Sequence, residues 1–300
     1  MNRLPHVAIS GELGSGKSSV ARRLAQLYSM RFVSTGDIQR SMAKSLNLST
    51  LETNWLAERD DMIDSQVDQV TRDLGASAEP IVFDSRMAWR MVPKSFKVHL
   101  IVDPTVSAVR LHQTRSSPTE QYESRNHARD LAEERYQSEQ RRFLSTYGVD
   151  VFQLRNYDLV IDTSTAPIEL VTDTVRLQLE AVIAESDASA RRPRLFVQPR
   201  RILPDSADWA KESPSADTPQ VAYSRPTFCS ISGHSGVLGA IARDESLIEV
   251  DLVAEGAEPL HSGGPTVRQY VDQLAFAAWT SRWNEEYGLH HPPVGPSVGG

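Results

Sequence analysis

Over roughly the first 185 positions, short runs of apolar residues alternate with longer stretches whose apolar positions recur every three to four residues. The runs Val7–Ser10, Arg31–Ser34, Ile81–Asp84, Val98–Val102 and Leu159–Asp162 read as strands. The stretches 17–29, 37–45, 55–74, 104–115, 120–145 and 167–184 read as the helices between them. Strands this apolar throughout belong in a parallel sheet covered by helices on both faces, an α/β architecture. Ligands on such sheets gather at the carboxyl ends of the strands. The residues found there are Gly11–Ser18, Thr35-Gly36-Asp37, Asp84-Ser85-Arg86 and Asp103.

The pattern changes near residue 186. Residues 186–192 begin with the small, polar run Ser186-Asp187-Ala188-Ser189-Ala190 and read as a linker. Leu195-Phe196-Val197 opens a second domain over 193–286 as a strand, and Pro204–Gln220, with three prolines, reads as a loop. Thr227–Ile231 and Leu247–Val253 are strand-like around a helical stretch, Ser235–Arg243. Thr266–Trp283 reads as one amphipathic helix with Tyr270, Leu274, Ala277 and Ala278 on its inner face. The tail 287–300 is rich in Pro and Gly and is expected to be disordered.

Composition narrows the function classes. Three hundred residues fit two domains, and 40% hydrophobic with 24% charged residues is ordinary for a globular chain. A net charge of −7 gives no global nucleic-acid signature. One cysteine, Cys229, excludes an internal disulfide framework and fits a reducing, cytoplasmic setting. No apolar run approaches the roughly 18 residues of a membrane span. No His/Cys/carboxylate cluster has metal-site spacing.

The strongest chemical signal is Gly11-Glu12-Leu13-Gly14-Ser15-Gly16-Lys17-Ser18, set between the first strand and the first helix. This is the P-loop pattern. Its glycines let successive N–H groups turn inward around a phosphate, and the positive end of the following helix adds to that field. Gly11, Gly14, Ser15, Gly16, Lys17, Ser18 and Ser19 are therefore the ATP-phosphate candidates. Lys17 reaches the β- and γ-phosphates, and the Ser18 hydroxyl is placed for Mg²⁺. The guanine-recognition tetrad Asn-Lys-x-Asp of GTPases is absent from the chain. Arginines stand instead where a phosphate acceptor would lie: Arg40, Arg86, and Arg135 and Arg142 with Glu139 on one helical face between them. Arg110 and Arg115 read as solvated surface, with a contribution on the lid side as the alternative.

These pieces resemble a family. Residues 6 to about 184 look like a cytidylate kinase, particularly the compact archaeal type among the nucleoside monophosphate kinases. The resemblance rests on the P-loop, Val33-Ser34-Thr35-Gly36-Asp37-Ile38-Gln39-Arg40, Phe83-Asp84-Ser85-Arg86, Arg135–Arg142, Tyr147-Gly148-Val149-Asp150 and Tyr157–Ser164. It implies a P-loop kinase domain over 1–185. It implies that Ser34, Gly36, Asp37, Arg40, Asp84 and Arg86 hold the acceptor nucleotide. It also implies that Arg135, Glu139 and Arg142 form a lid, with Lys17, Arg135 and Arg142 as the catalytic cations. Asp84 would order Mg²⁺ through water, while Asp162 would be structural. Two departures bear on the acceptor: Ser85 stands where the family pattern has glycine, and Met87-Ala88-Trp89-Arg90 is bulkier than that pattern. A tryptophan there could stack on a base or fill the pocket for a smaller substrate.

In the second domain, Phe228–Ala240 contains a strand, a Gly-His turn and a helix start. With Phe196–Pro204 it weakly resembles a ParB-like α+β fold, although the arginine of that turn is missing. The domain reads as a degenerate, non-catalytic binding or dimerising module, with nucleotide or DNA binding through Gly233, His234 and Ser235 as the alternative. The five arginines between Arg191 and Arg201 are either a solvated face or a phosphate patch. The leading expectation is an ATP- and Mg²⁺-dependent nucleoside monophosphate kinase acting on cytidine or deoxycytidine monophosphate. The alternatives are a kinase of another metabolite or modified nucleotide, and a regulatory, DNA-associated ATPase that meets nucleic acid through its C-terminal domain.

Overall fold

The computed structural model describes residues 4–45, 62–113, 122–184 and 193–289. The chain divides into two compact units, Met1–Phe196 and Val197–Gly300.

The first unit is built on a parallel sheet in the order β2-β3-β1-β4-β5-β6. The strands are β1 (Val7–Gly11), β2 (Arg31–Ser34), β3 (Ile81–Asp84), β4 (Phe96–Ile101), β5 (Leu159–Asp162) and β6 (Arg194–Val197). Around them run α1 (Lys17–Leu27), α2 (Thr35–Ser45), α3 (Met62–Gly75), the single turn α4 (Ala88–Met91), α5 (Pro104–Gln113), α6 (Arg125–Tyr147) and α7 (Ile168–Ala184). β1, β3 and β5 are buried at every position, as strands covered on both faces should be. Ile9, Leu24, Ile81, Phe83, Leu100, Leu154 and Ile161 are almost fully excluded from water and form the core. β1 pairs with β3 on one side and β4 on the other, in register Ile9↔Asp84 and Ser10↔His99. The chain therefore leaves β1 toward one half of the sheet and later crosses to the other, which opens a crevice at the carboxyl end of β1.

Two expectations for this unit change. Leu195-Phe196-Val197 does not open the second domain; β6 extends the first sheet beside β5, in register Val160↔Leu195 and Ile161↔Phe196. An apolar tripeptide carries no label for the sheet it joins, so this pairing was not readable locally. The second helix starts at Thr35, two residues earlier than its periodicity indicates, because the Ser34 hydroxyl accepts the Asp37 N–H at 3.2 Å.

The second unit has a mixed sheet built from β7 (Ile202–Leu203), β8 (Gln220–Ser224), β9 (Thr227–Ser232) and β10 (Ile248–Glu255). β8 pairs antiparallel with β9 and parallel with β10, and β7 lies parallel to β9. β8 covers Gln220, the last residue expected to be loop, and the four residues after it, joined to β9 by the Arg225-Pro226 turn. The helices are α8 (His234–Ala242), α9 (Val267–Ala275) and α10 (Ala278–Tyr287). The single helix expected over 266–283 is thus two, because the chain is extended at Ala277. Its inner face is accordingly Val267, Val271 and Leu274, with Trp283 buried from α10, while Ala278 is exposed. None of the described helices is long and apolar enough to cross a membrane.

Candidate active site

The P-loop runs from the end of β1 to the start of α1. Gly14 and Gly16 both have left-handed backbone, φ 77° and 79°, a conformation that costs other residues steric strain. Gly16 caps α1 without a side-chain hydrogen bond, and the first turn of α1 carries no acid. A Cβ at Gly16 would meet nothing within 4 Å, so the mouth of the loop is open. Inside it, the Ser15 hydroxyl is buried without a hydrogen-bond partner. An uncapped helix start, an orphaned hydroxyl and an adjacent lysine are a donor set that fits a phosphate group.

The outer wall of the loop is held by α5. Ser107 donates to the Leu13 carbonyl at 2.7 Å, and a side chain at Gly14 would collide with that hydroxyl. Arg110 reaches the Gly14 carbonyl at 3.1 Å and the Thr163 carbonyl at 2.7 Å. It is therefore a clamp between the P-loop and the exit of β5, not the solvated residue expected; Arg115 lies outside the described residues. The buried Glu12 carboxylate accepts the Val102 N–H at 2.9 Å. Asp162 accepts from the backbone and hydroxyl of Ser164, the structural part expected of it.

The candidate phosphate-handling cations come together at this end of the sheet, each against a carboxylate. Lys17 contacts Asp84 at the end of β3. Burial pulls the Lys17 ammonium below its ordinary value, while Asp84 opposes that shift. Arg86 pairs with Glu139 of α6, and the Arg135 Nε donates to the same carboxylate at 3.0 Å. Burial works to raise Glu139, but Arg86 and then Arg135 outweigh it and hold the carboxyl below the usual range. The sequence placed Glu139 between Arg135 and Arg142; its second partner is instead Arg86, and Arg142 lies 3.7 Å from Asp64 of α3. Helical spacing pairs residues on one helix and cannot show a partner arriving from another element.

The remaining acceptor residues are less gathered. Ser34 and Asp84 are register partners on β2 and β3. Gly36 lies in the first turn of α2, and Asp37 is exposed 3.9 Å from Arg22. The Arg40 side chain lies outside the described residues. Ser18 and Ser19 are exposed on the first turn of α1. Among the described residues no group of three or more His, Cys, Asp or Glu could hold a metal ion.

Beneath Arg86 lies an aromatic floor, of which the sequence pointed only to Trp89. His99 of β4 stacks on Tyr157 at 4.5 Å, and Trp89 packs against the same ring at 5.4 Å. Burial, and then the charge of Arg86, push His99 down to about 3, so it is neutral under ordinary conditions. Trp89 is 6% exposed and its indole nitrogen is buried without a partner, so the residue fills space beneath the site. Ser85 accounts for its own departure: its hydroxyl accepts the N–H groups of Met87 at 3.2 Å and Ala88 at 3.1 Å, closing the turn into α4. The missed residues Asp64, Ser107 and His99 lack a motif; Ser107, three residues before Arg110 and just after the strand-end Asp103, was the nearest thing to a signal.

In the second unit, Gly233 is left-handed at φ 70° and leads into His234, whose Nδ1 lies 2.9 Å from the Ser230 hydroxyl. His234 is 3% exposed, edge-on to Trp283 at 4.9 Å, and burial pushes it down to about 4. Ser235 reaches the Ser215 hydroxyl at 3.0 Å. A Cβ at Gly233 would lie 3.3 Å from the Thr218 carbonyl, so this turn is covered by its own chain. Of the five arginines, Arg201 donates to the Pro226 carbonyl at 2.8 Å and Arg194 bonds Gln178; Arg191 and Arg192 lie outside the described residues.

Residues 6–165 match the model of the cytidylate kinase-like family. A cytidylate kinase of Haloarcula marismortui is 36% identical over 160 residues, 53% of this chain and 80% of the relative. One of Natronomonas pharaonis is 35% identical over 179 residues, 59% of this chain and 88% of the relative. One of Aeropyrum pernix is 39% identical over 175 residues, 57% of this chain and 95% of the relative. The match falls on the unit that carries the P-loop and its arginines, and by it the chain belongs to the cytidylate kinase-like family.

Proposed function

We propose that the first unit transfers the γ-phosphoryl group of ATP to cytidine or deoxycytidine monophosphate. The observation that carries this reading is the convergence of Lys17, Arg86, Arg135 and Arg142 beside an open P-loop, each on a carboxylate. A nucleotide switch needs the loop and its lysine. Three further guanidiniums facing the same region serve a reaction in which two phosphate groups meet.

In this reading the P-loop amides and the Ser15 hydroxyl hold the β-phosphate, and Lys17 leaves Asp84 to bridge the β- and γ-phosphates. Arg86 binds the acceptor phosphate, assisted from the acceptor side by Ser34, Gly36, Asp37 and Arg40. Arg135 and Arg142 neutralise charge on the transferring group. The Ser18 hydroxyl directly, and Asp84 through water, would hold Mg²⁺, which would supply charge neutralisation at the phosphates. The acceptor oxygen attacks phosphorus in line and ADP leaves; positioning and charge neutralisation supply the rate. Closure of the α6 arginines keeps water from competing with the acceptor.

The test is release of ADP from ATP across nucleoside monophosphates and unphosphorylated metabolites. Turnover is expected to depend on the acceptor and to be fastest with a cytosine nucleotide. Equal ATP consumption with and without every acceptor would sink the kinase reading. For the second unit we propose a ParB-like module without a nucleotide site. The strand–Gly233–helix order supports the likeness, and the chain covering that turn supports the lack of a site.

A further inference from the structure

Arg135 and Arg142 sit on the same helix, yet they are held differently. Arg135 is bonded to Glu139 one turn along α6, so that pair moves with its own helix. Arg142 faces Asp64 of α3 at 3.7 Å, and both side chains are largely shielded from water, 20% and 13% exposed. The buried Nε of Arg142 makes no hydrogen bond, and its guanidinium also lies over the Phe143 ring at 4.8 Å, so its tie to Asp64 is one of charge rather than of a hydrogen bond. One turn further along α3, the Asp68 carboxylate interacts with the hydroxyl of Tyr147 at the end of α6, and burial together with that carboxylate raises the phenol above its ordinary value. The positions 64 and 68 share one helical face. That face of α3 therefore meets α6 through two polar ties. α3 lies in the chain between β2 and β3, in the segment that also carries Ser34 to Arg40.

We propose that Asp64 is a positioning residue for phosphoryl transfer. It aims Arg142 and makes that arginine's placement depend on α3, so that movement of the acceptor-side segment is passed to the lid. A carboxylate suits this task because it holds a guanidinium through charge yet yields it to a phosphate, which carries more charge and more acceptor oxygens. The inference rests on the kinase reading above. Asp64 does not touch the reacting atoms; it acts through Arg142.

The test uses the full chain, with kcat and the KM for ATP and for CMP measured for Asp64→Asn, Asp64→Glu, Arg142→Ala and Asp64→Asn combined with Arg142→Ala. Misplacing one charge-neutralising group by about an ångström is expected to lower kcat about tenfold, with KM for ATP within about twofold. Asp64→Glu keeps the charge and should lose about threefold, which provides a reading even if Asp64→Asn does not fold. With Arg142→Ala already present, Asp64→Asn should add no further loss. Wild-type kcat in either single variant at position 64 overturns the proposal, as does the same fold-loss in both backgrounds, which marks a merely structural carboxylate. A wild-type protein without acceptor-dependent turnover overturns the kinase reading instead, and no comparison among variants can mimic that result.

Discussion

The two units each contain a strand, a left-handed glycine and a helix, and they use this device in opposite ways. Gly16 at φ 79° and Gly233 at φ 70° both cap a helix without help from a side chain. In front of Gly16 there is open space, an orphaned Ser15 hydroxyl and Lys17 as the next residue. In front of Gly233 the chain itself returns. A Cβ at Gly236 would lie 1.9 Å from the Asp217 carbonyl, and one at Gly239 would lie 1.8 Å from that of Ser215. The glycines of α8 therefore let a backbone segment approach, whereas Gly16 of the P-loop faces space that a ligand can enter. A glycine turn before a helix makes an anion site only when it is left uncovered and supplied with a cation.

The largest effect should come from removing that cation. Lys17→Ala is expected to lower acceptor-dependent turnover about 1,000-fold, with the P-loop fold retained because α5 holds the loop through Ser107 and Arg110. Turnover within tenfold of wild type would break the assignment of the open turn as the catalytic one. Next, Gly239→Ala should destabilise the second unit by about 3 kcal/mol, since the clash is with backbone and cannot be relieved by a rotamer change. Gly16→Ala meets no neighbour and pays only for its left-handed angle, about 1 kcal/mol. Urea denaturation of the full chain compares them, and equal losses would erase the distinction between covered and open turns.

How much of this was legible in the sequence follows the same division. The P-loop was readable because its function is local: eight consecutive residues specify the turn, the lysine and the hydroxyl. The sheet that carries it was readable because buried parallel strands are predominantly apolar runs. Of the partners of its cations, Glu139 for Arg135 was readable from helical spacing, and those that arrive from other elements were not. Glu139 finds Arg86 across 53 positions of chain and Arg142 finds Asp64 across 78, and nothing in helical periodicity encodes such pairs. The aromatic floor of Trp89, His99 and Tyr157 is likewise assembled from separate elements. In the second unit β6 was read as its first strand, because an apolar tripeptide after a polar stretch looks the same whichever sheet accepts it. The break at Ala277 was hidden because alanine is a strong helix former, and tertiary packing overrides such a preference.

A smaller effect tests the covered turn by pH. The folded value of His234 is depressed to about 4 by burial, against about 6.5 for an unfolded histidine. The unfolded chain therefore takes up a proton that the folded chain refuses. Stability due to this group is complete above about pH 6.5 and falls as pH drops toward 4, by about 1.4 kcal/mol per pH unit. His99 acts in the same direction in the first unit. Unfolding midpoints of wild type and His234→Gln, compared between pH 7 and 4.5, should differ in slope by one proton's worth, about 2 kcal/mol over the lower part of the range. Parallel curves would mean that His234 is reached by water and that the turn is not closed.

The smallest effect sharpens the open side. Ser85 closes the turn into α4 by accepting two backbone N–H groups, and its own N–H bonds the Ile9 carbonyl at 3.1 Å. Ser85→Ala removes the accepting hydroxyl only, which should cost about 1 kcal/mol of stability, as for the loss of a helix cap. If the hydroxyl serves the backbone alone, KM for CMP and kcat should both stay within about threefold, because Arg86 keeps its contact with Glu139 from the other side. A tenfold rise in KM for CMP with an unchanged melting temperature would place the hydroxyl on the acceptor instead. The substitution of the family's glycine by serine would then belong to substrate choice, and the open turn and its neighbour would share one ligand-facing surface rather than divide between binding and scaffold.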